Sequence, residues 1–278
     1  MTRFEGSKGA PAMSELALIE STPGPRTRAS IAADLRELGV SAGSTVLVHS
    51  SLKSIGWVSG GPVSVIQALL DVVGEEGTLV APAHTGNNSD PANWAHPPVP
   101  EDWWQIIRET TPAFDPAITP TNGMGAIAEL FRGWPGTARS GHPMVSFAAK
   151  GKHAEFITCG HELANSLGET SPLARVYELS GQVLLLGVGY DRNTSFHLAE
   201  YRAGTRPRVE TGAAFMRGGQ RVWGTFPDIE FGDEVFLAIG QEFDESGFVK
   251  VGKVGSATAR LFDQDKAVDF AETWIKSH

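Results

Sequence analysis

Apolar and polar positions along this chain follow two periods, and the changes of period divide it into elements. Thr45-Val46-Leu47-Val48-His49 is a compact apolar run between Ala42-Gly43-Ser44 and Ser50-Ser51, the profile of a strand buried on both faces. A glycine-bearing loop with Gly56, Gly60 and Gly61 follows. From Pro62 to Val73, Val65, Ile66, Leu69, Leu70 and Val73 recur at helical spacing; Pro62 suits the first turn and Gly74 to Gly77 close the helix. Thr78-Leu79-Val80-Ala81-Pro82 then reads as a second strand. Strand, loop, helix, strand is a βαβ unit, which implies parallel pairing with a right-handed crossover.

Upstream, Ser30 as N-cap, Ile31, Leu35 and Leu38 at helical spacing and a closing Gly39 predict a first helix. Downstream, the pattern predicts helices over Gly125 to Arg132, Gly151 to Cys159, Pro172 to Leu179, Val235 to Phe243 and Asp265 to Lys276. It predicts strands over Pro143 to Ala149 and Gln182 to Val188. Alternation through Ala213, Phe215, Val222, Gly224 and Phe226 about Gly218-Gly219 predicts an antiparallel hairpin.

Two stretches break the periods. Residues 1–25, rich in Gly, Pro, Ser and Thr, read as a mobile leader. Residues 83–123 carry Pro91, Pro97, Pro98, Pro100, Pro112, Pro116 and Pro120, and only Glu101 to Thr110 has helical character. Their Trp94, Trp103, Trp104 and Phe114 suit an ordered binding lobe better than a disordered segment. The expected fold is therefore α/β: a central mixed, largely parallel sheet flanked by helices, with an irregular lobe and a C-terminal antiparallel hairpin. Residues 26–278 form a single domain.

Composition narrows the partners. Among 278 residues, 32 acidic against 23 basic side chains give a net charge of −9, which argues against nucleic-acid binding and suits a cationic small molecule. The run Val183 to Gly189 is far shorter than the roughly 18 apolar residues of a membrane span. With one cysteine, Cys159, no internal disulfide forms, and a cytoplasmic setting is expected. Cys159 itself, between Thr158 and Gly160, reads as a buried structural thiol rather than a nucleophile.

Two clusters could carry chemistry. Tyr190 to Glu200 follows the apolar strand directly, where ligands sit in open α/β sheets. If Thr194 onward is helical, His197 and Glu200 share a face, and a carboxylate beside an imidazole can fix its tautomer for general-base work. A capping or packing histidine beside a surface acid fits the same spacing. The second cluster, His49-Ser50-Ser51-Leu52-Lys53 with Gly60-Gly61, combines hydroxyls, a cation and glycines in a strand-end loop suited to phosphate. It carries neither a P-loop nor a dinucleotide fingerprint. The histidines, His96 among them, lack zinc-motif spacing, and no metal is expected.

These residues resemble the aminoglycoside 3-N-acetyltransferase family, whose members do not share the GNAT fold. The resemblance runs from about Thr27 to Ile275. It rests on landmarks in order, among them Val48-His49-Ser50-Ser51-Leu52, Gly60-Gly61-Pro62, Phe114-Asp115-Pro116, Arg139-Ser140-Gly141-His142-Pro143, Gly168-Glu169-Thr170-Ser171-Pro172 and Asn193-Thr194-Ser195-Phe196-His197-Leu198-Ala199-Glu200.

The resemblance implies acetyl-CoA as donor and acylation of the 3-amino group of a 2-deoxystreptamine ring in a direct ternary complex. It implies His197 as general base, Glu200 or another carboxylate to orient it, and Thr194 at the oxyanion. It implies CoA binding by Ser50, Ser51, Lys53, Gly60 and Gly61, and an acceptor pocket of Asp115, Glu169, Asp228 and Glu230 walled by Trp103 and Trp104. Monomer and homodimer are both compatible with it. Where many members carry an Asp in the segment matching Ala83 to Asn88, this chain has Asn87, with His84 upstream. That departure leaves open an N-acyltransferase of the same fold acting on a non-aminoglycoside amine. A binding protein without turnover is the third reading, and the intact Asn193 to Glu200 segment argues against it.

Overall fold

A computed structural model describes residues 14–95 and 97–278; what the sequence leads one to expect of residues 1–13 and His96 lies outside the described residues. Ser14 caps α1 (Glu15–Ser21), so part of the segment expected to be a leader is helical, and Thr22 Oγ1 then accepts the Trp57 N–H at 2.9 Å. In α2 (Arg28–Leu38) the cap is Thr27 rather than Ser30. The two form a reciprocal capping box, with Ser30 inside the first turn.

Then follow β1 (Thr45–Ser50), α3 (Gly61–Val73) and β2 (Thr78–Pro82), with β1 and β2 parallel. Among its described residues the proline-rich stretch holds one α-helix, α4 (Trp104–Thr110), and three short 3-10 turns. It is ordered against its surroundings: the Phe114 N–H donates to Ala214 O at 2.9 Å and Asn88 Nδ2 to Ala214 O at 3.1 Å.

Next come α5 (Gly125–Arg132), β3 (Ala138–Arg139) and β4 (Phe147–Gly151). The strand expected from Pro143 begins later because His142 Nδ1 accepts the N–H groups of Met144 and Val145, both at 3.1 Å, and turns the chain there. α6 (Ala154–Thr158) is correspondingly shorter than expected, and Cys159 caps its end in solvent instead of being buried. The helix buries Ile157 and Thr158, and Cys159 lies past its last turn.

α7 (Pro172–Glu178), β5 (Gln182–Leu186) and α8 (Ser195–Ala203) lead to the hairpin of β6 (Arg208–Arg217) and β7 (Gln220–Ile229). Its turn uses Gly218 and Gly219 at φ 58° and 79°, the left-handed pair that a two-residue hairpin loop requires. α9 (Phe236–Asp244), β8 (Lys250–Val254), β9 (Ala257–Asp263) and α10 (Gln264–Ser277) complete the chain.

The main sheet has seven strands in the order β3-β4-β2-β1-β5-β9-β8. β2, β1 and β5 run parallel at its centre, and the strands outside them join antiparallel. Alternate residues of the central strands feed two cores. Val46, Val48, Leu184 and Leu186 pack with α2, α3 and α5, while Leu47, Val183 and Leu185 pack with α6 to α10. The crossover from β1 to β2 passes through α3, whereas β5 joins β1 from the other side. The loops after β1 and β5 therefore part company and leave a crevice at the carboxyl ends of both strands. No described helix is long and apolar enough to cross a membrane.

Candidate active site

That crevice is a cavity of about 520 Å³. β1 supplies His49 and Ser50, the turn after it Ser51 and Lys53, the start of α5 Gly125 and Ala126, and the segment after β5 Asp191, Arg192, Asn193 and Thr194. α8 contributes His197, and the approach to α9 contributes Asp233 and Phe236.

His197 stands in the first turn of α8, where the spacing expected from the sequence is realised. Its Nδ1 lies 2.6 Å from Glu200 Oε2. A carboxylate only accepts, so the shared proton belongs to Nδ1 and the Nε2 lone pair is left toward the cavity. Phe231 and Phe236 flank the ring at centroid distances of 5.0 and 4.9 Å. Glu200 is wholly buried, and its other oxygen accepts from Arg206 Nε at 2.6 Å.

Thr194 Oγ1 sits 3.4 Å from His49 Nε2. Burial first, and the nearby His197 charge second, push the His49 pKa down to about 3. Two imidazoles thus line one cavity in different settings, His197 against a carboxylate and His49 without one. Asn193 is buried, its Oδ1 accepting the Ser195 N–H at 3.3 Å and its Nδ2 without a partner among the described residues.

On the cationic side, Lys53 is exposed at the cavity, and Arg192 meets Asp191 at 3.1 Å with most of its side chain in solvent. Ser51 Oγ accepts from Ser54 Oγ at 2.9 Å. Gly60 and Gly61 do not line the cavity. With φ of 80° and 55° they form the left-handed entry to α3.

The expected acceptor residues are scattered. Asp228 is corrected outright: it is 1% exposed, accepts from Ser166 Oγ at 2.6 Å and the Ile229 N–H at 2.9 Å, and also bonds Tyr201 OH. That carboxylate holds the base of the hairpin and is closed to a bound ammonium. Glu169 pairs with Arg202 at 2.8 Å, Asp115 caps its own turn at Ala117, and Glu230 is exposed at the end of β7. Trp103 is exposed and Trp104 lies under the Arg108 guanidinium; neither lines the cavity. Sequence reasoning did not assign Asp191, Arg192, Asp233 or Arg206. The first two stood inside the polar cluster it singled out, whereas nothing local marks Asp233 or Arg206.

The family model for aminoglycoside 3-N-acetyltransferase matches residues 47–276. The chain belongs to that family. The SPbeta prophage-derived aminoglycoside N(3')-acetyltransferase-like protein YokD of Bacillus subtilis (strain 168) is 53% identical over 93% of this chain and 95% of its own. Its crystal structure superposes with a TM-score of 0.92 over 94% and 97% of the two chains. Aminoglycoside N(3)-acetyltransferase IX of Micromonospora chalcea is 37% identical, covering 95% and 99%. A solved structure of AAC-IIIb in binary complex with CoASH is 33% identical, with a TM-score of 0.81 over 91% and 97%.

Proposed function

We propose that this protein transfers the acetyl group of acetyl-CoA to the 3-amino group of a 2-deoxystreptamine aminoglycoside, in a ternary complex, with His197 as general base. The observation that carries the reading is the 2.6 Å contact of His197 Nδ1 with buried Glu200, which leaves the Nε2 lone pair free on a ring that lines a cavity with cations at its edge. Lys53 and Arg192 supply positive charge for the CoA phosphates, beside the hydroxyls of Ser50 and Ser51. The acetyl-enzyme route is unnecessary once amine and thioester share the cavity, because positioning removes much of the entropic barrier.

The amine is bound as an ammonium and loses one proton to water. As its nitrogen attacks the thioester carbonyl, His197 Nε2 takes a second, and Glu200 stabilises the resulting imidazolium. Thr194 donates to the oxyanion. Collapse breaks the C–S bond, and the imidazolium proton passes to the departing sulfur, giving amide and CoASH with one net proton released.

Asp191 and Asp233 are the carboxylates at the cavity that can hold the substrate's other ammonium groups. Asp115, Glu169 and Glu230 would meet only rings that extend beyond it. A lone, exposed Cys159 suits a reducing, cytoplasmic setting. The test is thiol release from acetyl-CoA with gentamicin or tobramycin. Release is expected, and His197→Ala should retain less than about a tenth of it; no release above background across an aminoglycoside panel overturns the reading. A second reading, acylation of another amine, draws on exposed Asn87 in the segment where many members carry Asp; release with non-aminoglycoside amines alone would establish it.

A further inference from the structure

We propose that Arg206 is a positioning residue for this reaction: a three-armed clamp that fixes Glu200 behind His197 and ties that pair to the loop of residues 230–235 forming one wall of the cavity. The inference rests on the proposed role of His197. Its basis is the set of contacts the guanidinium makes. Nε donates to Glu200 Oε1 at 2.6 Å, Nη1 to Glu234 Oε1 at 2.7 Å and Nη2 to Gly232 O at 3.1 Å. Gly204, left-handed at φ 69°, ends α8 and turns the chain so that residue 206 folds back beside the helix it has just left. The loop approaches closely: a Cβ at Gly232 would meet the tips of both Arg206 and Glu234, the two side chains that the clamp joins.

The clamp matters because Glu200 is wholly withdrawn from water. A buried carboxylate held only by a neutral imidazole lacks a compensating charge, and one removed from its cation is strongly destabilised. Arg206 supplies that charge and sets the direction of Oε2 by engaging Oε1. Burial opposes the Arg206 charge, and hydrogen bonding and charge from Glu234 and Glu200 more than offset it, so its pKa lies above the ordinary value. The loop it grips contains Asp233, leads to Phe236 and carries Phe231, so the same guanidinium that orients the base also sets the rings that flank it.

The charged and titratable groups around His197 are few. Glu200 is on its own helix, with Arg206 behind it. Asp233 and Glu234 come from the loop. His49 at the end of β1 and His84 past the end of β2 are kept neutral chiefly by burial, with the His197 charge adding to it. Asp191, Arg192 and Lys53 enter the same cavity, the first two paired with each other. Arg206, first, and His197 among further causes hold the Glu234 carboxyl below its usual range, so Glu234 and His197 sense one another.

Two variants therefore act with opposite sign. Arg206→Gln removes the cation that opposes an imidazolium, so the acid limb of kcat/KM should move to higher pH by about half a unit or more. Its kcat should fall at least about tenfold, with KM for acetyl-CoA within about twofold of the parent. Glu234→Gln removes an exposed anion and should move the same limb to lower pH. Arg206→Lys should return the limb toward the parent while kcat stays low, because an ammonium cannot span Glu200, Glu234 and Gly232 O together.

Titrating the His197 ring by its Cε1–H NMR signal, assigned by loss in His197→Gln, reads the same shifts without turnover. If Arg206→Gln leaves limb and kcat as in the parent, or if both variants shift the limb the same way, the clamp is refuted. Should Arg206→Gln fail to fold, the Glu234→Gln shift decides alone. If His197→Ala stays active, the base assignment fails, whereas an unmoved His197 ring titration in Arg206→Gln counts against the clamp only.

Discussion

At the scale of residues, His197 and Glu200 meet because three positions on a helix place side chains on one face. On the proposed reading, Glu200→Gln should keep the fold yet lose the carboxylate charge that stabilises an imidazolium, lowering kcat by about 10²-fold or more while CoA binding, followed by calorimetry, survives. Other histidines serve structure. His142 Nδ1 accepts two backbone N–H groups and its Nε2 bonds Leu163 O at 3.2 Å; His161 lies between Ser140 Oγ at 2.9 Å and Ser166 O at 2.6 Å. Burial, with His161 contributing, pushes the His142 pKa down to about 3, and burial takes His161 to about 4. Both take up protons more readily unfolded than folded. Their contribution is complete above the unfolded value of about 6.5 and is lost as pH falls from there toward 4, at up to about 1.4 kcal/mol per unit for each. Urea unfolding midpoints should drop markedly between pH 7 and pH 5, and a flat profile would contradict the neutral assignments. Asp228 carries the opposite lesson: the family resemblance assigns it to an acceptor pocket, and only its depth beside Ser166 and Tyr201 reveals a structural anchor.

At the scale of elements, the strand, helix and turn signals worked where one segment contains its own stop and start. The apolar run at β5, the Gly218-Gly219 turn and the period of α3 needed no partner to be read. β8 escaped because Lys250 to Val254 is largely exposed at the sheet edge with a glycine inside it, and β9, buried between β5 and β8, because its alanines dilute the apolar alternation. The α2 capping box makes Thr27→Ala costly by about 1 kcal/mol, measurable by urea unfolding. A contact between elements governs the cavity as well. Gly240 in α9 faces Tyr190, and a Cβ there would stand 2.0 Å from Tyr190 Cγ. Tyr190 opens the turn that carries Asp191 and Arg192, and its hydroxyl donates to Asp244 at 2.7 Å. Gly240→Ala should thus lower stability by about 2 kcal/mol or more and weaken CoA binding as the turn shifts. Unchanged CoA affinity would separate α9 from the site.

At the scale of the whole molecule, a net charge of −9 surrounds a cavity that, on the proposed reading, receives a polycation. Steering by such a field is screened over about 10 Å at 0.1 M salt. The kcat/KM for an aminoglycoside should fall as salt rises, through KM, while a monoamine of similar size is far less affected; equal salt dependence would remove the field from the argument. Amino-acid order alone determined the local periods, the hairpin turn, the strand–helix–strand unit at the centre and the helical spacing that puts His197 and Glu200 on one face, because each is written in a short stretch of the chain. Tertiary structure alone decided which acids face the cavity, that Arg206 returns to Glu200 and reaches Glu234, and that His49 stays uncharged. Those outcomes turn on burial and on distances between segments far apart in the chain, and a charged side chain acquires its role from the water and partners that the fold leaves it.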